Sequence, residues 1–205
     1  MGEDTHQHAD ALDWDERYGD DQLWSGHPNE QLVVEVSDLE PGTSLDVGCG
    51  EGADSIWLAT RGWCATGIDV SARALGRAAR AAEVAGVEVA WRPIGLEEFD
   101  PVTHDLVIAF YPALLREDGA VIETLLGAVA PGGTLLAVHH AFVDREVALE
   151  HGFDPDDYVG HDDLVAALTD RDGWTIELAE QRARTAPEGP GAHHHTDCVL
   201  RARRS

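Results

Sequence analysis

The chain has 205 residues, enough for one domain with a full-sized core. It sets 39 acidic residues against 14 arginines and no lysine, a formal charge of −25. That balance argues against a nucleic-acid substrate and against an anionic membrane surface, and fits a solubility or salt adaptation. Cys49, Cys64 and Cys198 are odd in number, far apart and set in apolar or glycine-rich runs. They read as reduced thiols of a cytoplasmic protein, not as a disulfide framework. No apolar run approaches membrane-spanning length, and the polar start, Met1 to Asp10, is no signal peptide.

In chain order, residues 1–12 read as a disordered polar tail and 13–205 as a single domain. Within it, 13–40 hold two short helices, one at Asp13-Trp14-Asp15-Glu16-Arg17-Tyr18 and one from Asn29 to Leu39, ending before Pro41-Gly42. An alternation follows: strand 43–48, helix 53–62, strand 64–69, helix 71–85, strand 87–92. Ser71 suits an N-cap and Gly86 a helix stop. Asp105 to Phe110 is apolar, as in a central parallel strand. A helix over about 115–129, stopped by Pro131-Gly132-Gly133, a strand from Thr134 to Val138 and a helix from His161 to Asp170 come next. Trp174 to Ala183 and Thr196 to Ala202 then read as strands joined by a loop at Pro187 to Gly191. With no helix between them they should pair antiparallel. The fold class is α/β, a three-layer α/β/α sandwich with a mostly parallel seven-stranded sheet and an antiparallel C-terminal hairpin.

The most informative stretch is Leu45-Asp46-Val47-Gly48-Cys49-Gly50-Glu51-Gly52, a glycine-rich turn between a strand and a helix. Asp69, 19 positions after Gly50, ends the next apolar run. A bare turn with an acid one strand later suits an adenosine-bearing ligand: backbone approaches closely and the acid accepts from ribose hydroxyls. Gly48-x-Gly50-x-x-Ala53 meets the relaxed dinucleotide fingerprint, with a pyrophosphate at the helix N-terminus. The same stretch resembles motif I of the class I S-adenosylmethionine-dependent methyltransferases, met by Asp46, Gly48, Gly50 and Gly52. Asp46 discriminates between the two. A carboxylate there repels a pyrophosphate but can bind, directly or through water, the ammonium of a methionine moiety. A tight turn that holds no ligand is the third reading.

The C-terminal pair of strands also resembles that family, so the likeness covers about residues 13–203 and implies a Rossmann-like methyltransferase fold. It implies backbone contacts from Gly48 and Gly50 to the methionine moiety, ribose hydroxyls on Asp69 and packing of Val70 on the adenine. Gly95 stands where the family usually has an Asp for the adenine amino group. Leu96 can offer its N–H there, and Glu97 can replace the missing carboxylate. Ala109 and Phe110 should flank the transferable methyl. Trp14 to Tyr18, with Trp24-Ser25-Gly26, resembles the lid of small-molecule methyltransferases, including the tellurite-resistance and thiopurine-methyltransferase-like groups. By that likeness Arg17 reaches the methionine carboxylate and Trp24 covers the sulfonium side.

His139 and His140 end the fifth strand, and His193-His194-His195 lead into the last one, which arrives at the same edge. His27 and Tyr111-Pro112 could join them. Three readings stay open. One histidine is a general base, with His139, His140 and Tyr111 as the catalytic candidates; several bind a divalent metal; or the histidines only hydrogen-bond in a polar loop. Neighbouring histidines on a strand point to opposite faces and cannot all ligate together, so a metal is not expected. His6, His8, His104, His151 and His161 read as surface or capping residues. The implied function is S-adenosylmethionine-dependent methylation of a small molecule, with no nucleic-acid or membrane partner and an oligomeric state that the sequence does not give. A thiolate acceptor would need no base; a hydroxyl or amine would. A non-catalytic adenosine-ligand sensor and a nicotinamide oxidoreductase are the alternatives.

Overall fold

The computed structural model describes residues 11–100, 102–116, 120–150, 153–185 and 194–205. His6, His8, His151, His193 and the expected loop at Pro187 to Gly191 lie outside them. The strands are β1 (Thr43–Val47), β2 (Cys64–Ile68), β3 (Ala90–Arg92), β4 (His104–Phe110), β5 (Val129–His140), β6 (Trp174–Ala183) and β7 (Thr196–Arg204). They form one sheet in the order β3-β2-β1-β4-β5-β7-β6. The first five run parallel; β7 lies antiparallel between β5 and β6. Strand order reverses at β1, between β2 on one side and β4 on the other, so a crevice for a ligand opens beyond their C-terminal ends.

The helices are α1 (Ala11–Tyr18), α2 (Glu30–Val36), α3 (Ala53–Thr60), α4 (Ala72–Ala85), α5 (Ala120–Gly127), α6 (Arg145–Glu150) and α7 (His161–Leu168). Strand side chains alternate between the two faces of the sheet. Leu45, Val47, Val107, Ala109, Leu135 and Ala137 pack with Leu125 of α5 and Leu164 of α7. Leu106, Ile108, Leu136 and Val138 pack on the other face with Leu32 of α2 and Leu58 of α3. Two apolar layers on one sheet give the three-layer sandwich. Ser71 caps α4 by accepting from the N–H of Ala74, and Gly86 ends it at φ +70°. No helix among the described residues is long and apolar enough to cross a membrane.

Several boundaries differ from the sequence expectation. The helix expected over 115–129 is α5, which ends at Gly127, and β5 begins at Val129 and runs through Pro131-Gly132-Gly133. The pairing with β4 skips from His104–Val129 to Leu106–Thr134, so these residues bulge out of the ladder, where a proline without an N–H is tolerated. A Cβ at Gly133 would sit 2.9–3.0 Å from the carbonyl oxygens of Ala130, Asp105 and His104, so the chain closes there only on a glycine. β3 is confined to three residues. Helix α1 already includes Ala11 and Leu12, which the sequence assigned to the tail. A 3-10 turn covers Leu96–Glu98, in keeping with a helix start at Glu97 and Glu98. Helix α6 and the 3-10 turn Pro155–Asp157 were not anticipated; α6 buries no residue, so no apolar periodicity marks it.

Candidate active site

After Val47 the chain turns on Gly48 and is tied to the end of β2. The N–H groups of Gly48 and Cys49 both donate to the carbonyl of Ile68, at 2.9 and 3.0 Å. The N–H of Gly50 donates to Asp69 Oδ2 and that of Ser71 to Oδ1, each at 2.8 Å. The glycine turn and the acid one strand later are therefore one hydrogen-bonded unit. Gly48 has φ +70° and a Cβ there would meet nothing within 4 Å, so open space lies above it. Gly52 differs: at φ +81°, its Cβ would come within 2.5 Å of the Trp91 ring and 2.7 Å of Ala78. The first glycine frees a surface; the third permits close packing of α4 and β3.

Three carboxylates gather at this turn. Asp46, 4% exposed, accepts from the Ser55 hydroxyl at 2.7 Å. Asp54, in the first turn of α3, accepts from the N–H of Asn29 at 2.7 Å. Burial pushes the Asp46 carboxyl up, with Asp54 next in effect, and burial raises Asp54 and Asp69 as well. The Cys49 thiol among them is pushed well up by burial and by Asp46 and Asp69. No salt bridge found among the described residues involves Asp46, Asp54 or Asp69. Buried carboxylates without a protein cation suit a cationic ligand.

The N-terminal segment folds onto the turn through residues the sequence did not single out. Buried Glu51 accepts from the N–H groups of Leu23 (3.0 Å) and Trp24 (2.8 Å) and pairs with Arg77 of α4 at 2.8 Å. Arg77 also donates to the carbonyls of Tyr18 and Gly19. Asp15 accepts from the Ser71 hydroxyl and the Arg73 N–H, and these bonds lower its carboxyl. A Cβ at Gly50 would lie 2.7 Å from the Tyr18 hydroxyl and 3.7 Å from Trp24 Nε1. Tyr18 and Trp24 thus cover the middle of the turn, and burial followed by Asp69 pushes the Tyr18 phenol up. Arg17 is exposed, its guanidinium 5.2 Å from the centre of the Trp14 ring.

At the far edge, the expected gathering of five histidines divides. His140 stacks between Tyr111, at 4.2 Å between ring centres, and His194, at 3.7 Å. Asp197 of β7, 1% exposed, accepts from the Tyr111 hydroxyl at 2.9 Å. Tyr111 holds φ +49°, a backbone state costly for a non-glycine residue, and its ring lies under the Arg184 guanidinium. Burial and the nearby Asp197 push the Tyr111 phenol up. His139 points to the opposite face, as alternation on a strand requires; burial, with His161 next, holds its imidazole down at about 4. His195 contributes its carbonyl to the Arg184 N–H, and His27 is exposed. Among the described residues no group of three or more His, Cys, Asp or Glu side chains is arranged to hold a metal ion.

Residues 45–133 match the family model of a methyltransferase domain. The chain is 32% identical over 113 residues to a ubiquinone biosynthesis O-methyltransferase from Methylococcus capsulatus, covering 51% of this chain and 46% of that protein. It spans less than half the length of the curated relatives it matches. Among solved structures, one from work on the conversion of a disulfide bond into a thioacetal group during echinomycin biosynthesis shares the fold with a TM-score of 0.73. It is 24% identical, over 97% of this chain and 92% of that one. The N-methyltransferase NodS from Bradyrhizobium japonicum WM9, in complex with S-adenosyl-L-homocysteine, gives a TM-score of 0.71 at 21% identity over 95% and 97% of the two chains. Residues 45–133 thus resemble a methyltransferase domain, and the fold is the one that these solved structures share.

Solved neighbours of this fold hold S-adenosylmethionine or S-adenosylhomocysteine, and the turn fits such a ligand on its own geometry. The open space over Gly48 leaves room for a ligand, while the unpaired carboxylates of Asp46, Asp54 and Asp69 suit a cationic one better than a pyrophosphate. At the expected adenine end, a side chain at Gly95 would run into the Glu97 carboxylate and touch Val70, whose Cγ1 lies 3.5 Å from that Cβ position. The Glu97 carboxylate therefore occupies the space that a side chain at position 95 would take. Leu96 is buried at the head of the 3-10 turn, and Ala109 is buried at the end of β4. Asp54, Glu51, Arg77 and Asp197 are the site residues that sequence reasoning missed. Glu51 lay inside the glycine motif; the others carried no local signal.

Proposed function

We propose that this protein is a class I S-adenosylmethionine-dependent methyltransferase, which passes the methyl group of S-adenosylmethionine to a small-molecule acceptor seated at the Tyr111–His140 edge. The observation that carries this is the glycine turn underlain by carboxylates without a protein cation and covered by the Glu51–Arg77-anchored segment. When bound, the cofactor supplies an electrophilic methyl group on a cationic sulfur. Asp46 holds the methionine ammonium, Gly48 and Gly50 face the methionine moiety, and Asp69 takes the ribose hydroxyls with the lone pairs left by Gly50 and Ser71. Val70 packs on the adenine, Leu96 offers its N–H and Glu97 its carboxylate to the adenine edge. Ala109 walls the methyl. Trp24 covers the sulfur side, and Arg17 swings from Trp14 to the methionine carboxylate. His139, His140 and Tyr111 belong to the acceptor side. The domain begins with α1 at Ala11, has the segment up to residue 40 as its lid, and works in the cytoplasm.

A compact acceptor is favoured because no further domain is inserted between the strands among the described residues, and the charge of −25 disfavours RNA. Much of the rate should come from alignment and exclusion of water by the covering segment. The test is to supply methyl-labelled S-adenosylmethionine together with a metabolite extract, bulk RNA and bulk protein. Label in low-mass products is expected. Label in RNA or protein would refute the acceptor class, and bound cofactor that is never consumed would make the protein a sensor.

A further inference from the structure

The contact between His140 and Asp197 is incomplete on both sides. The two residues face each other across the antiparallel β5–β7 pair, with His140 Nδ1 3.6 Å from Asp197 Oδ1. Both atoms are buried and lack a hydrogen-bond partner in the structure. A buried polar atom without a partner is costly, and natural sites keep one for a reason. A closure of about 0.5 Å brings the pair within hydrogen-bonding distance. Everything around it is held. Tyr111 and His194 sandwich the imidazole, with interplanar angles of 22° and 10°. Asp197 Oδ2 is taken by the Tyr111 hydroxyl, and the Tyr111 N–H donates to the carbonyl of Val138 at 2.8 Å. Asn29 donates its side-chain amide to the Tyr111 hydroxyl at 3.4 Å, while its own N–H is bound to Asp54 under the glycine turn. One hydrogen-bonded chain thus runs from the cofactor side to Asp197, and only the last contact, to the histidine, is open.

We propose that His140 is the base that takes the proton of a hydroxyl or amine acceptor, and that Asp197 is its positioning residue. A carboxylate on Nδ1–H fixes the tautomer and leaves the lone pair on Nε2. This rests on the methyl-transfer reading above. As the acceptor's lone pair forms the new bond to the methyl carbon, the C–S bond breaks with its electrons going to sulfur, which becomes a neutral thioether. The acceptor's proton passes to Nε2 of His140, and the imidazolium, opposite Asp197, returns it to solvent. A thiolate would leave this pair unused, which is why the acceptor is assigned to the hydroxyl or amine class. His139, on the other face, takes no part. The titratable or charged groups facing His140 are Tyr111, His194 and Asp197, with Arg184 over the Tyr111 ring.

The test is nuclear magnetic resonance of the full chain, labelled with 15N-histidine and saturated with S-adenosylhomocysteine. The expected result is a neutral His140 with its proton on Nδ1. Asp197→Asn should weaken the hold on that tautomer, so that the Nε2–H form appears beside it, and Asp197→Glu should restore the single Nδ1–H form. A His140 proton on Nε2 in the unaltered protein, or a tautomer ratio indifferent to Asp197→Asn, would overturn the assignment. The unaltered protein decides the tautomer even if Asp197→Asn does not fold. Failure of S-adenosylhomocysteine to bind at all would count against the methyl-transfer reading instead.

Discussion

The Gly50 N–H donates to the Asp69 carboxylate at 2.8 Å, so the residue expected to hold the ribose also shapes the turn expected to face the methionine moiety. Its second oxygen holds the Ser71 N–H at the start of α4. From the sequence, Asp69 is a ligand residue whose loss spares the fold. The structure adds a cost. Asp69→Ala should weaken S-adenosylhomocysteine by roughly tenfold to a hundredfold and also destabilise the protein by about 1–3 kcal/mol, because two backbone N–H groups lose their acceptor. Calorimetric affinity and urea unfolding read the two effects separately; an unchanged affinity would move the ribose site elsewhere.

Glu51 and Arg77 should behave as a clasp for the covering segment. Arg77→Ala strands a buried carboxylate and should cost about 3 kcal/mol. Glu51→Gln keeps the shape but weakens the acceptor for Leu23 and Trp24. Exchange of those two amides should quicken on the order of tenfold, with cofactor affinity falling in parallel. Protection of Leu23 and Trp24 identical to that of the unaltered protein would show that the clasp is idle.

Gly48 and Gly52 separate ligand space from packing space. Gly52→Ala meets Trp91 and Ala78 at positive φ and should cost about 3 kcal/mol of stability. Gly48→Ala meets no protein atom, so it should cost only about 1 kcal/mol of stability, from its backbone conformation. It should weaken S-adenosylhomocysteine by about tenfold or more, because its methyl enters the ligand's side of the turn. The reverse ranking in melting temperature and affinity would contradict this division.

Burial raises the carboxyls of Asp46, Asp54 and Asp69 above their ordinary range. Between that range and the raised values the folded chain binds more protons than the unfolded one. These groups therefore favour folding most at the acid end of the window, and their contribution is lost as pH rises through it. A ligand ammonium beside Asp46 favours its charged form, so binding in this window should release protons. Titrations in buffers of different ionisation heat should show that release, and Asp46→Asn should reduce it. Proton uptake on binding would run against the expected charge pairing.

The glycine turn, the caps of α4 and the antiparallel C-terminal strands were legible because each is written locally: positive-φ glycines, a serine three residues before the N–H it caps, two alternating runs with no helix between. Helix α6 was not, since it buries nothing. Strand β5 was read short because Pro131 and two glycines mimic a helix stop, whereas here they form a bulge. The Glu51–Arg77 clasp joins residues 26 apart and the Tyr111–Asp197 bond residues 86 apart. Only the folded sheet brings such partners together. The histidine edge was half legible: alternation separates His139 from His140, but nothing in the sequence pairs His140 with Asp197.

The most direct test of the account is calorimetric titration of the purified chain with S-adenosylhomocysteine and, separately, with NAD. The carboxylates under the glycine turn predict saturable one-to-one binding of S-adenosylhomocysteine and no heat with NAD. Saturable NAD binding with no response to S-adenosylhomocysteine would contradict it.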